Sequence, residues 1–233
     1  MTIRHWELAG AEDDRLFSPN CWRVRLALAH KGLECETVPW RFTEKDAIAF
    51  SKQGLVPVID DNGREVHDSW DIALYLDQAY PDRPRLFEGP QARSLAWFIK
   101  HWCERNVHAT MIRAIITDLF ASLHEKDKAY FRESREKRFG KTLEALGAES
   151  HAALPALRAG FDPVRPLLAA QPFLCGAAPA FADYILFSPF QWARAVSPIR
   201  ILEPDDPMYA WRERMLDLFG GMPRATRGYP VWA

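Results

Sequence analysis

Ser18-Pro19-Asn20-Cys21-Trp22 is the stretch on which the reading of this chain turns. A proline in the first turn of a helix loses no hydrogen bond, because an N–H there has no intrahelical partner, and a serine just before it can cap. The run from Arg23 to Lys31 continues as a helix, and Gly32 suits the left-handed position that ends one. The free N–H groups and aligned peptide dipoles at such a start favour an anion beside Ser18.

Outward from this helix the pattern is strand and helix in alternation. Residues 3–9 read as a strand, 34–39 as a second, and 43–51 as a short helix with Thr43 as its cap. Val56-Pro57-Val58-Ile59-Asp60 and Arg64-Glu65-Val66-His67 flank Asn62-Gly63, a strong hairpin signal. Helix 69–80 follows, with Ile72, Tyr75, Leu76 and Ala79 on one face. The order β-α-β-α-β-β-α over residues 1–80 is the thioredoxin-like arrangement. Redox proteins of that arrangement carry Cys-Pro-x-Cys where this chain has Ser18-Pro19-Asn20-Cys21. With a hydroxyl in place of the first sulfur, the site reads as one that holds another molecule's thiolate. Such a thiolate has a lowered pKa and is a ready nucleophile. Cys21, in the second-cysteine position, reads as a small core residue.

Residues 81–91 hold three prolines and a glycine and read as a linker. Beyond it, apolar-periodic segments at 92–121, 126–147, 152–170, 181–195 and 206–219 predict an all-helical domain over 92–233, with Pro155, Pro163 and Pro166 kinking the third. The net charge of −1 gives no reason to expect a nucleic acid or an anionic membrane as partner. The four cysteines show no CxxC and no metal-ligand spacing. The start, Met-Thr-Ile-Arg-His-Trp, lacks the apolar core of a signal peptide, and a reducing cytoplasm is the expected compartment.

Three groups of residues are candidates for a binding groove. Ser18 is the donor to a thiolate, with the Asn20 amide beside it. Val56, before Pro57, is expected in a cis peptide bond that leaves its backbone free to pair with an extended peptide. Ser69 is expected to cap helix 69–80 and receive a carboxylate, while Asp68 receives an ammonium. Together they describe a groove for a short thiol peptide with an α-amino-acid end. On the helical side, His101, Glu104 and His108 share a helical face, but the full ligand set of a metal is missing and no metal is expected.

These segments resemble the cytosolic glutathione transferase superfamily over the whole chain. Trp22-Arg-Val-Arg-Leu-Ala-Leu-Ala-His-Lys-Gly32 is similar to the first helix of zeta-class enzymes. Gly54-Leu-Val-Pro-Val-Ile59 and Asp68-Ser-Trp-Asp-Ile-Ala73 resemble the family's peptide-binding and γ-glutamyl-binding motifs. Within the superfamily the chain resembles the bacterial β-etherase branch most. That rests on Ser18-Pro19, on Tyr80-Pro-Asp-Arg-Pro-Arg-Leu-Phe-Glu-Gly-Pro90, on Phe181-Ala-Asp-Tyr184, and on Glu203-Pro-Asp-Asp-Pro207 leading to Asp217-Leu-Phe-Gly220. One departure is Ala180, where the family has a capping Ser or Thr three residues before the Asp.

The resemblance implies a glutathione transferase fold and glutathione as co-substrate. It implies a homodimer and a small, hydrophobic or aromatic acceptor, either an electrophile or a β-aryl ether. Val56 and Pro57 would hold the cysteinyl unit, and Ser69 and Asp68 the γ-glutamyl end. Gln53, Trp40, Arg41 and Lys45 are the candidates for the glycyl carboxylate. Trp102 and Asn106 would line the acceptor pocket. Two other classes fit the same residues: a glutathione-dependent thiol–disulfide oxidoreductase working through Cys21, and a non-catalytic binding module of this fold.

Overall fold

Strand β1 (Ile3–Leu8) is the axis of the sheet. Its odd residues Ile3, His5 and Glu7 are all buried, as are Trp6 and Leu8 on the opposite face, as expected of a central strand covered on both sides. The computed structural model describes residues 2–230. β1 pairs in parallel with β2 (Cys35–Trp40) and antiparallel with β3 (Val58–Asp61), which pairs antiparallel with β4 (Arg64–His67), so the order is β2-β1-β3-β4.

Helix α1 (Pro19–His30) crosses from β1 to β2. It ends on Gly32 (φ 61°), whose N–H donates to Ala29 O at 3.0 Å while Leu33 N–H donates to Leu28 O at 3.0 Å, the two bonds of a Schellman cap. The β3–β4 turn has Asn62 at φ 55° and Gly63 at φ 89°, the left-handed pair that a two-residue hairpin requires. Between β2 and β3 the expected helix 43–51 is a 3-10 segment, Lys45–Ser51, and Thr43 does not cap it. Its hydroxyl and N–H instead donate to the buried Asp127, at 2.7 and 3.0 Å. Helix α2 (Ser69–Ala79) completes the βαβαββα order.

The helical half opens with a single rod: α3 (Gly89–Trp102), a π-helical stretch Cys103–His108, and α4 (Ala109–Ser122). The expected helix 126–147 divides at Gly140 (φ 66°) into α5 (Glu125–Phe139) and α6 (Leu143–Ala148), which Thr142 caps. The expected helix 152–170 divides ahead of Pro163 into α7 (Ala153–Gly160) and α8 (Arg165–Ala170), since a proline cannot continue the i→i−4 ladder. Pro155 and Pro166 both fall in first turns, where they cost no bond.

Helix α9 (Phe181–Val196) is apolar on nearly every side and packs against α1, α3 and α4. α10 (Pro207–Leu216) follows. A further helix, α11 (Leu218–Ala225), was not expected. It starts through three left-handed residues, Phe219, Gly220 and Gly221 (φ 53°, 67° and 80°), which turn the chain back toward α9. There Arg194 donates to the carbonyls of Arg224 and Thr226 at 2.7 and 2.9 Å, and Gln191 Nε2 to that of Pro223 at 2.9 Å. Arg227 then reaches Asp14, in the loop ahead of Ser18, at 2.7 Å.

Candidate functional site

The sheet register gathers the three candidate groups at one end. Trp6 pairs with Val58 and Val58 with His67. The end of β1, which leads to Ser18, therefore lies beside the start of β3, which follows Val56-Pro57, and the end of β4, which leads to Asp68-Ser69. Trp40, at the end of β2, pairs with Leu8 at the same end.

Ser18 is the N-cap of α1, and its Oγ accepts the Cys21 N–H at 3.3 Å. The Ser18 side chain is buried, and its hydroxyl proton is donated to no group among the described residues. Asn20 lies one turn position on, and its Oδ1 is buried without a hydrogen-bond partner. Cys21 is fully buried, with Sγ 3.9 Å from Trp6 O. Burial, then the charge of Glu7, pushes its thiol up to about 12. It is a core side chain here, a poor nucleophile at neutral pH.

The Val56–Pro57 bond is cis. Among the described residues the Val56 backbone makes no hydrogen bond. Gln53 sets the loop before it: its Oε1 accepts the Leu55 N–H at 2.7 Å and its Nε2 donates to Leu55 O at 2.7 Å, much as a neighbouring strand would. At α2 the cap is Asp68 rather than Ser69. Asp68 takes φ 66°, and its Oδ1 accepts the N–H of Trp70 at 2.8 Å and, weakly, that of Asp71 at 3.4 Å. Ser69, displaced to the first helical position, is left with a hydroxyl that makes no hydrogen bond among the described residues.

The residues named for a terminal carboxylate separate clearly. Trp40 donates Nε1 to Glu44 O at 2.7 Å. Arg41 is held by Gly10 O, Ala11 O and Asp13. Gln53 has both amide ends committed. Among the described residues the Lys45 ammonium donates only to a neutral carbonyl, Gly54 O at 2.6 Å, and lies over the rings of Trp40 (4.8 Å) and Tyr130 (5.7 Å). Burial lowers its pKa, against the opposing charge of Asp127, and no carboxylate forms an ion pair with it among the described residues.

On the helical side, Asn106 Nδ2 donates to Trp102 O at 2.9 Å, and Asn106 is exposed. Sequence reading missed Arg23, whose signal lies in no local pattern. Its guanidinium, 1% exposed, spans from α1 to the π-helical stretch, donating Nη1 to Glu104 at 3.0 Å and Nη2 to His108 Nε2 at 3.4 Å. The wide π turn brings Glu104 and His108 to the same cation. Burial, with the charges of Arg23 and Lys100, holds the His108 pKa well below its ordinary value. His101 instead meets Trp97 edge-on, with ring centroids 4.4 Å apart. Among the described residues no three His, Cys, Asp or Glu side chains converge as metal ligands.

Sequence comparison matches residues 14–84 to the Glutathione S-transferase, N-terminal domain, and residues 94–204 to the Glutathione S-transferase, C-terminal domain. Glutathione S-transferase Z1 of Arabidopsis thaliana is 32% identical over 90 residues, 34% of this chain and 41% of its own length. Among solved structures, glutathione transferase GSTFuA3 from Phanerochaete chrysosporium aligns at TM-score 0.78 and 25% identity over 99% of both chains. A glutathione S-transferase of Ceriporiopsis subvermispora, crystallised with glutathione, aligns at TM-score 0.79 and 24% identity over 94% of this chain and 96% of its own. The chain belongs to the glutathione transferase superfamily and has its fold: the mixed four-stranded sheet with its helices, then the helical half. It spans less than half the length of curated relatives such as glutathione S-transferases U7 and Z1 of Arabidopsis thaliana. No helix among the described residues is long and apolar enough to cross a membrane.

Proposed function

We propose that the protein is a glutathione-dependent transferase that ionises the glutathione thiol and directs it at a small aromatic electrophile. One observation carries this reading. The sheet register brings near one another the Ser18 N-cap, a Val56 backbone and a Ser69 hydroxyl that make no hydrogen bond among the described residues, which suits the order in which a γ-glutamyl tripeptide presents its groups.

In this reading Ser18 and the N–H groups at the start of α1 stabilise the thiolate, with the Asn20 amide as a second polar partner. Val56 pairs with the cysteinyl unit as an added strand would. Ser69 holds the γ-glutamyl carboxylate. Asp68 still has Oδ2 for the ammonium, and Lys45 takes the glycyl carboxylate. The acceptor enters between this site and the rod that carries Trp102 and Asn106. For a β-aryl ether, the branch that the Ser18-Pro19 and Tyr80–Pro90 segments resemble, sulfur forms a bond to the β-carbon. The carbon–oxygen bond breaks, and the phenolate takes a proton from water. The protein would work in the cytoplasm as a homodimer, with the exposed Leu55 and Phe98 available to a second copy. The buried, unreactive Cys21 argues against a disulfide oxidoreductase.

The test is a glutathione complex together with a turnover screen against aryl ethers, aryl halides and epoxides. The sulfur is expected within hydrogen-bond distance of Ser18, with glutathione consumed by at least one acceptor class. A sulfur lodged beside Asp183 or among the helices would overturn the site. Binding at Ser18 without turnover would make the protein a binding module.

A further inference from the structure

Arg23 lies on α1 beyond Ser18 and is 1% exposed. Its fork is spent on the rod, with Nη1 on Glu104 at 3.0 Å and Nη2 on His108 Nε2 at 3.4 Å. Its Nε is buried and makes no hydrogen bond. One turn back on the same helix, Asn20 has the complementary gap: its Oδ1 is buried and accepts nothing. We propose that Arg23 is a positioning residue that holds the Asn20 amide oxygen inward, so that Asn20 Nδ2 faces the glutathione sulfur. This assignment rests on the function proposed above.

Helix geometry joins the two side chains. Residues three apart on a helix are neighbours, and long side chains lean toward the helix N-terminus, so Arg23 is laid back over Asn20. A buried donor and a buried acceptor each carry a desolvation cost when unpaired. Both are relieved when Nε–H meets Oδ1, directly or through one water. The sense of the amide then follows. A guanidinium has donors and no acceptor, so the inward end of Asn20 is its oxygen. The Nδ2 end is neither buried nor hydrogen-bonded among the described residues, and it is left for the thiolate.

The anchor of this arrangement is on the acceptor side. Glu104 and His108 belong to the π-helical turn Cys103–His108, and Lys100 Nζ donates to Glu104 Oε2 at 3.2 Å. Single π turns inside α-helices are frequent at functional sites. Helix α9 contributes the ring of Trp192, 5.9 Å from that of His108. The charged and titratable groups around the guanidinium are thus Glu104, Lys100, His108 and the buried Cys103, whose thiol burial pushes up to about 12. A planar fork on two partners has one orientation, which a lysine ammonium does not keep. The second donor to the sulfur is therefore set by the segment that carries Asn106.

The experiment uses the full chain with glutathione alone, so no acceptor is needed. The ultraviolet absorbance of the bound thiolate is titrated with pH in the unmodified protein, in Arg23→Lys and Arg23→Gln, and in Asn20→Ala with and without Arg23→Lys. Arg23→Lys keeps the charge and loses Nε. It should raise the apparent thiol pKa, leaving about threefold less thiolate at a given pH on the acidic side. In the Asn20→Ala background the same change should have no effect. A shift in Arg23→Gln with none in Arg23→Lys would mean that charge alone acts, and would overturn the proposal. Equal shifts with and without Asn20 would do the same. If an Arg23 variant does not fold, a glutathione complex of the unmodified protein reads the same link. Arg23 Nε is expected to donate to Asn20 Oδ1, directly or through one ordered water, with Nδ2 toward the sulfur; Nε bonded elsewhere sinks the assignment. No thiolate signal in the unmodified protein would remove the proposed function as well, whereas a signal unmoved in Arg23→Lys removes this assignment alone.

Discussion

Asp127, in the first turn of α5, holds Thr43 in the loop after β2. Its Oδ1 accepts both the N–H and the hydroxyl of Thr43, at 3.0 and 2.7 Å, and its Oδ2 accepts the Phe42 N–H at 2.9 Å. A fully buried carboxylate with three donors is stable only while they all stay in place. The loop it fixes leads straight into Lys45. Asp127→Asn exchanges one acceptor oxygen for a donor that faces a donor. The expected result is a loss of about 1–3 kcal/mol in denaturant unfolding. Glutathione affinity should weaken with it as Lys45 loses its place. Unchanged calorimetric binding in a folded variant would separate Lys45 from the site.

Ser18→Ala should slow the attack of glutathione by no more than about 100-fold, because Asn20 and the helix N–H groups remain, and should change affinity less than rate. The pH dependence of turnover reads this directly: the apparent thiol pKa should rise in the variant. Coincident profiles with equal rates would reduce Ser18 to a helix cap. Ser18→Cys restores Cys-Pro-x-Cys and should gain glutathione-disulfide exchange while losing conjugation.

Ser69→Ala should weaken glutathione binding by roughly 1–3 kcal/mol, the loss of one hydrogen bond to a charged group. The helix itself should be untouched, because Asp68 caps it. Calorimetry with a parallel unfolding curve tells the two effects apart.

Two histidines make stability depend on pH. Tyr184 O–H donates to His30 Nδ1 at 2.6 Å, and His30 Nε2 lies 3.0 Å from Arg85 O; burial, with the Lys31 charge beside it, lowers its pKa. His108 is lowered further, by burial and by Arg23 and Lys100. A folded-state value below the unfolded one means that the unfolded chain binds protons first as pH falls. Stability is therefore full above about 6.5, the unperturbed value, and declines below it. Denaturant midpoints from pH 7.5 to 5.5 should fall, and they should fall less in a His30→Gln/His108→Gln variant.

Helix α9 keeps half of a capping box. Asp183 accepts the Ala180 N–H at 3.2 Å, together with Leu174 N–H and Trp211 Nε1 at 2.8 and 3.0 Å, but Ala180 has no hydroxyl to return. Ala180→Ser should raise stability by about 0.5–1 kcal/mol. A rise in the unfolding midpoint at constant slope is the expected signature.

What the sequence made legible was local. Ser18-Pro19, Gly32 and Asn62-Gly63 each act within a few residues, and the structure has each as read. Asp68 and Ser69 were read one position out, because nothing local announces that an aspartate will take a left-handed conformation and cap from there. Thr43 was misread for a related reason: its partner, Asp127, is a whole domain away in sequence. Arg23 was invisible for the same cause: Glu104 and His108 share a visible helical face, but their partner lies far off in the sequence. Gly140 and Pro163 were visible as residues, but apolar periodicity on both sides ran across them; the left-handed Gly140 and the missing N–H of Pro163 break the helices there. The α11 segment lies past the expected helix 206–219, behind two glycines whose left-handed backbone reverses the chain.

That reversal has a bearing on how the molecule is made. It sends Arg227 to Asp14, in the loop that leads to Ser18, and so joins two ends of a very long circuit. The corner around Ser18 gains this anchor only after residue 227 has left the ribosome. The sheet and α1 can form before it, and the loop ahead of Ser18 is pinned at Asp14 afterwards.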